Sequence, residues 1–295
     1  LLLNGLFVTL FNRKFEETIP ITYIISGLIL YAFGLFEHIS YGYYAVMGLS
    51  FSFIPVLLIL LINNKKHLKK TLSNYFSFGF FVYIILFVYV YFMQKNRGFN
   101  IIDEFWNWGL QVREDMKYDS FMAEESLYTR RTYPPFLTII EILFCHLNGE
   151  FHEGACFIGM TDFVLVCYLP LLAKLKISEW KDYLNAAVYT AVFLLLGCCI
   201  SLTATEYVPA HLYNTLYVDF QLAVFAAYAF FSAYSEDEWN LFNIVNLILS
   251  MTVLLLLKQT GIAFMVLVIF YIAVNAVIKA IQNRKTGIRN ICTGI

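Results

Sequence analysis

The stretch YYAVMGLSFSFIPVLLILLI, residues 43–62, decides the fold class of this chain. It carries no charged residue over about 20 positions, the length at which an α-helix crosses the hydrocarbon core of a bilayer. The segment NNKKHLKK, residues 63–70, follows without a break and places four lysines at one end of that helix. Residues 43–62 therefore predict a transmembrane helix whose basic end faces the cytoplasm.

The composition of the whole chain extends this prediction. Of the 295 residues, 60% are hydrophobic, 18% are aromatic and only 14% are charged. A soluble domain carries about 25% charged residues, so this chain is too apolar to build a surface that faces water. The composition excludes a soluble enzyme, a secreted disulfide scaffold and a disordered tail. The net charge of −1 argues against a nucleic-acid partner.

Other apolar runs have the length of membrane spans. They cover residues 1–11, 19–36, 75–93, 154–173, 184–203, 214–234, 241–257 and 261–281. These runs predict an all-α fold, a polytopic membrane helical bundle with about eight to nine spans. The chain begins with Leu1 rather than Met, and we expect it to be a fragment. The six cysteines form no Cys-x-x-Cys pair and are expected as small buried residues.

The basic residues indicate the orientation of the bundle. The apolar segment 135–147 has only 13 residues and is too short to cross. If it lies on or re-enters the membrane, 13 Lys and Arg residues face the cytoplasm and 7 face outward. If it crossed, every later basic loop would face outward. We therefore expect 135–147 not to cross, and we expect the hydrophilic stretch 94–134 to be extracytoplasmic.

A helix is predicted within that outer loop. Phe105, Trp108, Val112 and Met116 recur at spacings of three and four residues, which places them on one helical face. The pattern is typical of an amphipathic helix that lies in the membrane interface. Other faces of this helix are expected to carry the polar residues Asn107, Gln111, Glu114 and Asp115.

The densest polar cluster is DEFWNWG, residues 103–109. In a purely structural interpretation, Asp103 is the N-cap of a helix and Glu104 lies in its first turn, where both meet the positive end of the helix dipole. In a functional interpretation, Asp103 acts as a general base at the boundary between membrane and water. The two interpretations are compatible, because a capping interaction would hold the carboxylate ionised and oriented.

A second cluster is YTRRTYPPF, residues 128–136. Arg130 and Arg131 supply donors suited to a phosphate, and tyrosines such as Tyr133 offer flat amphipathic surfaces that pack against sugars. The pair Pro134–Pro135 starts the helix that follows. The alternative is an anchor of arginine and tyrosine beside lipid headgroups.

Three ionisable residues lie at membrane depth or at the ends of spans: Asp162, Asp219 and Lys258. Such groups are costly in lipid and are functional candidates by default. The alternative is structural pairing, for instance of Asp219 with Lys258. The histidines show no ligand spacing, so no zinc site is predicted.

Together these features resemble the GT-C superfamily of integral-membrane glycosyltransferases, over residues 80–281. In that superfamily an acidic residue of the first large outer loop is the catalytic base, and a Pro-Pro segment leads the chain back into the membrane. The resemblance assigns the base to Asp103 and its acidic partner to Glu104, and it matches Tyr133, Pro134 and Pro135 to the re-entry motif. It divides the chain into N-terminal transmembrane helices, 1–74, and a GT-C-like core, 75–295.

The resemblance implies an inverting glycosyltransferase in a bacterial plasma membrane. The donor would be a sugar on a polyprenyl phosphate, and the acceptor an extracytoplasmic glycan, lipid or cell-wall polymer. Bulk membrane lipids would surround the protein. No cofactor is required, although Glu104 or Asp219 would be the ligands of a divalent metal.

Particular residues are expected to bind the substrates. The leaving phosphate is expected to meet Arg130, Arg131 and Lys258, and Asp219 lies on the same side of the membrane. The sugar pocket is expected to contain Trp106, Trp108 and Tyr133.

The alternative function is a multi-pass transporter or a lipid or polysaccharide flippase. It would use Asp162, Asp219 and Lys258 as an intramembrane path. A non-enzymatic assembly subunit would match the composition but gives no reason for the two polar clusters. A glycan polymerase or ligase would be a closer enzyme relative.

Overall fold

The fold is all-α, as the apolar runs predict. A computed structural model describes residues 1–121, 123–128, 133–175, 179–197, 212–234 and 240–293, with side chains as far as residue 281. Every regular element in these ranges is helical, and they contain no β-strand.

Up to residue 121, where every residue is described, the structure contains seven α-helices and a π-helical turn. They are α1 (Leu2–Phe11), α2 (Phe15–Leu35), α3 (Ile39–Phe51), α4 (Phe53–Asn63), α5 (Lys65–Tyr75), α6 (Phe78–Gln94), the π-turn (Glu104–Trp108) and α7 (Gly109–Tyr118). The second half continues with seven more α-helices and one 3₁₀ turn. They are α8 (Phe136–Asn148), α9 (Glu153–Tyr168), α10 (Pro170–Ala173), α11 (Trp180–Leu196), the 3₁₀ turn (Leu212–Asn214), α12 (Val218–Tyr234), α13 (Leu241–Leu257) and α14 (Gly261–Thr293).

Four described helical segments are long and apolar enough to cross a membrane. They are Phe15–Leu35, Ile39–Asn63, Glu153–Ala173 and Gly261–Ile281, and α5 with α6 makes a fifth if this pair, bent by 43°, is one broken span. The helices α12 and α13 are apolar but have 17 residues each, about 26 Å of helix against a hydrocarbon core of about 30 Å. The figure of eight to nine spans counts such shorter helices and stays a prediction.

The helix α9 forms the centre of the bundle. Every residue from Gly154 to Cys167 is buried, as expected for a helix that is apolar on all sides. Asp162, in the middle of this helix, accepts hydrogen bonds from the hydroxyls of Tyr23 and Tyr83. Residues of the segments 1–74 and 75–295 thus share one core.

The helix α8 covers only part of the depth of the bundle. Phe136, at its start, lies against Gly27 in the middle of α2, where an added Cβ would be 2.6 Å from the phenyl ring. His146, near its end, stacks on Tyr43 of α3 at 4.9 Å between ring centroids. With 13 residues, α8 runs from mid-depth to one end of the bundle, which supports the expectation that this segment does not cross.

The end of the bundle at which α8 terminates also carries residues 94–121, and we call it the loop end. The backbone of α3 is fixed there by Asp119. The Ile39 N–H donates to the Asp119 carbonyl at 3.2 Å, and the Ser40 N–H donates to the Asp119 carboxylate at 2.6 Å. Phe121 packs over Gly34 near the end of α2. The polar loop is therefore a packed part of the fold.

Candidate functional site

The cluster DEFWNWG forms a π-helical turn rather than the start of a regular α-helix. Glu104–Trp108 is the π-helical segment, and it continues directly into α7. A π-turn widens the helix by one residue and is frequent at functional sites. Asp103 lies immediately before this turn, at the loop end.

Glu104 is buried and holds three separate parts of the backbone. Its side chain is 1% exposed. It accepts hydrogen bonds from the N–H of Asn100 at 2.8 Å, of Ile101 at 3.1 Å and of Leu216 at 3.3 Å. Burial raises the pKa of Glu104, and the three backbone donors oppose that rise. The carboxylate thus joins the loop before α7 to the segment before α12.

Asp103 is half-buried, and its environment differs from that of Glu104. Its Oδ1 accepts a hydrogen bond from the side-chain amide of Asn107 at 2.9 Å. The expected N-cap interaction is absent at Asp103, and it is Glu104 that binds the nearby backbone donors. Glu104, rather than Asp103, therefore binds the backbone N–H groups near the start of the turn. The Asp103 side chain is only half-buried.

A row of polar side chains continues from Asp103 along α7. Asn107, Gln111 and Asp115 follow at intervals of four residues and are 4%, 3% and 3% exposed. The Thr138 hydroxyl donates to Gln111 Oε1 at 3.1 Å, and Gln111 also bonds the Asp115 carboxylate. The sequence predicts these residues on the polar faces of an amphipathic interfacial helix, whereas the structure buries them. They are buried because α8 and the loop cover them.

Asp115 ends this row in an unusual state. Burial is the main cause that raises its pKa to about 8, the neighbouring Glu114 raises it further, and the bond from Gln111 opposes the rise. Among the described residues, no group donates a hydrogen bond to its Oδ2. Asp115 is therefore largely protonated near neutral pH.

A cavity of about 230 Å³ lies beside the row at the loop end. Tyr133, Pro134 and Pro135 of the predicted re-entry motif line it, together with Gln111. Its remaining lining residues are Tyr31, Leu35, Phe121, Tyr128, Leu255 and Leu256. The motif and α7, which are separate in sequence, thus meet at one cavity.

The predicted aromatic residues lie in two environments. Trp108 is buried and packs edge-on against Tyr133, with 5.3 Å between ring centroids. Trp106 is 72% exposed and does not line the cavity. Arg130 and Arg131 lie outside the described residues, but Tyr128 and Tyr133, which border that gap, both line the cavity.

The candidates at membrane depth are divided between two places. The Lys258 ammonium lies 2.6 Å from the Asp219 carboxylate at the ends of α13 and α12, which is the structural pairing considered above. Asp162 lies in the core with Tyr23 and Tyr83. Among the residues that the structure describes, no hydrogen bond or ion pair joins Asp162 to the Asp219–Lys258 pair, nor this pair to Asp103.

No metal centre is found in the described part of the chain, where no three His, Cys, Asp or Glu side chains group closely enough to hold an ion. The two acids considered as ligands have other partners. Glu104 binds backbone amides, and Asp219 binds Lys258.

The sequence analysis missed Gln111, Asp115 and Arg97 as site residues. The interval of four from Asp103 to Asp115 would have indicated the buried row. Arg97 donates a hydrogen bond to the Asn214 carbonyl at 3.1 Å, and its guanidinium carbon lies 5.0 Å from the centroid of the Phe157 ring. No local pattern in the sequence predicts these two contacts.

Comparison of the chain with protein-family models, with curated proteins and with solved structures gives no match.

Proposed function

We propose that this protein is a glycosyltransferase of the bacterial plasma membrane that works at the extracytoplasmic side. It transfers a sugar from a polyprenyl-phosphate donor to a glycan, lipid or cell-wall acceptor. The observation that carries the proposal is the setting of Asp103. This carboxylate is half-exposed, oriented by Asn107 and placed on a turn that Glu104 fixes to the backbone at Asn100, Ile101 and Leu216.

The proposed reaction uses Asp103 as the general base. Asp103 takes the proton of an acceptor hydroxyl while that oxygen forms a bond to the anomeric carbon of the donor sugar. The bond from this carbon to the phosphate oxygen breaks, and its electron pair leaves with the polyprenyl phosphate. Attack from the opposite face inverts the configuration. Glu104 acts as a positioning residue, because its oxygens already bind backbone amides.

Cations at the loop end would stabilise the departing phosphate. Arg130, Arg131 and Lys258 keep this role in the proposal, and the bond between Lys258 and Asp219 holds the ammonium in place at the end of α13. Tyr133, with Trp108 behind it, presents an aromatic wall to the sugar. The exposed Trp106 suits a contact with the acceptor or with lipid headgroups.

The test is transfer of a radiolabelled sugar from polyprenyl-phosphate donors by the full-length protein in liposomes. Asp103→Asn should lower the rate by about 10²–10⁴-fold, the usual contribution of a general base. Asp182→Asn, the same chemical change at the start of α11, should transfer at the wild-type rate. Undiminished transfer by Asp103→Asn would refute the base assignment.

A transporter or flippase is the second candidate, and the setting of Asp162 favours it. A carboxylate that is 0% exposed among membrane helices, bonded to two tyrosine hydroxyls, is the kind of group that lines an intramembrane path. In this case liposomes would show flipping of a labelled lipid-linked sugar without glycosyl transfer. Asp162→Asn would abolish flipping, and Asp103→Asn would not.

A further inference from the structure

The cavity at the loop end has a lining of mixed chemistry. One group of lining residues is aromatic or polar, with Tyr31, Tyr128, Tyr133 and the amide of Gln111. A second group is aliphatic and consists of Leu35, Leu255 and Leu256. Ligand sites are typically apolar with a few fixed polar groups that orient the ligand. This lining therefore suits an amphiphile with a hydroxylated part and a hydrocarbon part.

The amide of Gln111 is held in a fixed orientation. Its oxygen accepts from Thr138 at 3.1 Å, and its other bond goes to Asp115, so the side chain cannot rotate without the loss of two buried hydrogen bonds. An amide NH₂ has two donors. A buried polar group left without a partner costs about 1–3 kcal/mol. A ligand hydroxyl is the natural partner for such an amide at a cavity wall.

The size of the cavity limits what it can hold. At about 230 Å³ it lies below the range of about 300–1,000 Å³ typical of sites for drug-sized ligands. It has room for one ring and a short piece of chain. Tyrosine rings offer broad apolar faces with a polar edge, which match the C–H faces and hydroxyls of a sugar ring.

We infer that this cavity binds the pyranose ring of a lipid-linked sugar donor. Gln111 bonds a ring hydroxyl, the tyrosines cover the ring faces, and the first part of the lipid chain lies along Leu35, Leu255 and Leu256. The inference rests on the proposed function, because it assigns the position of that reaction's donor. It also makes Gln111 a residue that determines substrate affinity.

Binding of labelled octyl β-D-glycosides tests this inference without any transfer reaction. The full chain in nanodiscs is titrated, below micelle-forming concentration, with the octyl glycosides of glucose, galactose, mannose and N-acetylglucosamine. Tetraethylene glycol monooctyl ether is the control amphiphile. At least one glycoside should bind with at least tenfold higher affinity than the ether. Equal binding of all five compounds would overturn the inference.

Two variants locate the binding. Gln111→Leu keeps a similar volume but removes the amide, and it should weaken glycoside binding at least tenfold. Leu256→Trp leaves the polar contacts intact but fills the cavity, and it should also weaken glycoside binding at least tenfold. An unfolding midpoint equal to that of the wild type shows that this variant is folded. Tyr89→Ala, at a separate cavity of about 300 Å³, is the matched control and should bind as wild type. Wild-type affinity in Gln111→Leu and Leu256→Trp would refute the assignment.

A comparison of chain lengths distinguishes donor from acceptor. A donor site should bind the octyl glycoside more tightly than the methyl glycoside of the same sugar, because the leucines contact the chain. Equal affinities would refute the donor assignment in favour of a free glycan acceptor. Failure of the proposed function can be distinguished from failure of this inference. If only the proposed function is wrong, glycosides bind as expected but Asp103→Asn shows no defect in sugar transfer.

Discussion

Asp115 makes the stability of this protein depend on pH in a direction opposite to that of an ordinary salt-bridged acid. Its pKa in the folded protein is about 8, against an ordinary value of 3.8. Between these two values the unfolded chain releases the proton and the folded chain keeps it. The folded state therefore binds more protons, and the free energy of unfolding falls as pH rises through this window.

The magnitude follows from the two pKa values. Each unit of difference corresponds to about 1.4 kcal/mol, so the shift from 3.8 to about 8 amounts to about 6 kcal/mol over the whole window. From pH 5 to pH 8 the wild-type protein should lose stability at about 1 kcal/mol per pH unit. Asp115→Asn cannot ionise and keeps an oxygen that accepts from Gln111, so it should not show this loss.

The assay is denaturant unfolding in mixed micelles, followed by tryptophan fluorescence at pH 5, 6, 7 and 8. The free energy of unfolding of Asp115→Asn should rise relative to that of the wild type as pH increases, and the variant should be the more stable protein at pH 8. Glu104, whose pKa burial also raises, contributes a slope of the same sign in both proteins. Equal slopes in the wild type and Asp115→Asn would refute the reasoning.

Three further predictions follow from the packing. Cys145 and Cys156 have sulfurs 3.7 Å apart between α8 and α9, so a mild oxidant should join them in a disulfide that mass spectrometry detects; two free thiols after oxidation would contradict this packing. Glu104→Ala should lower the free energy of unfolding by about 3 kcal/mol, because three backbone N–H groups lose their acceptor. A chemical denaturation curve identical to that of the wild type would contradict this role of Glu104. Gly154→Ala places a Cβ 2.5 Å from the Lys95 carbonyl oxygen and should destabilise the protein by about 1–3 kcal/mol. The control Gly48→Ala places its Cβ in open space and should melt as the wild type does. Equal melting temperatures for the two variants would contradict the close approach of α9 to the end of α6.

The all-α fold could be predicted because each apolar run is long and lacks charge. A run such as 43–62 has few alternatives in a chain of this composition, and the structure places a helical span over Ile39–Asn63. The short run 135–147 likewise predicts a short helix, and α8 has 13 residues. Helix starts were harder to predict: the run 214–234 begins four residues before α12, because Leu216 and Tyr217 are also apolar.

The burial of residues at the loop end could not be predicted in the same way. Apolar periodicity placed Val112 on the apolar face of a helix and Gln111 and Asp115 on its other faces, whereas the structure also buries Gln111 and Asp115. Their burial depends on α8, which lies more than 20 positions further along the chain and supplies Thr138. Likewise, the adjacency of Asp103 and Glu104 suggested paired roles. The π-turn separates them, with Asp103 toward solvent and Glu104 toward the backbone of residue 216.

The hydrogen bond between Glu104 and the Leu216 N–H joins positions 112 residues apart, and it sets an order of assembly. A nascent chain emerges from its N-terminus, so α7, α8 and α9 are synthesised before the partner of Glu104 exists. Until residue 216 follows, this carboxylate has only Asn100 and Ile101 as backbone donors. The turn that carries Asp103 therefore reaches its final form late in biogenesis, after most of the surrounding bundle has been inserted.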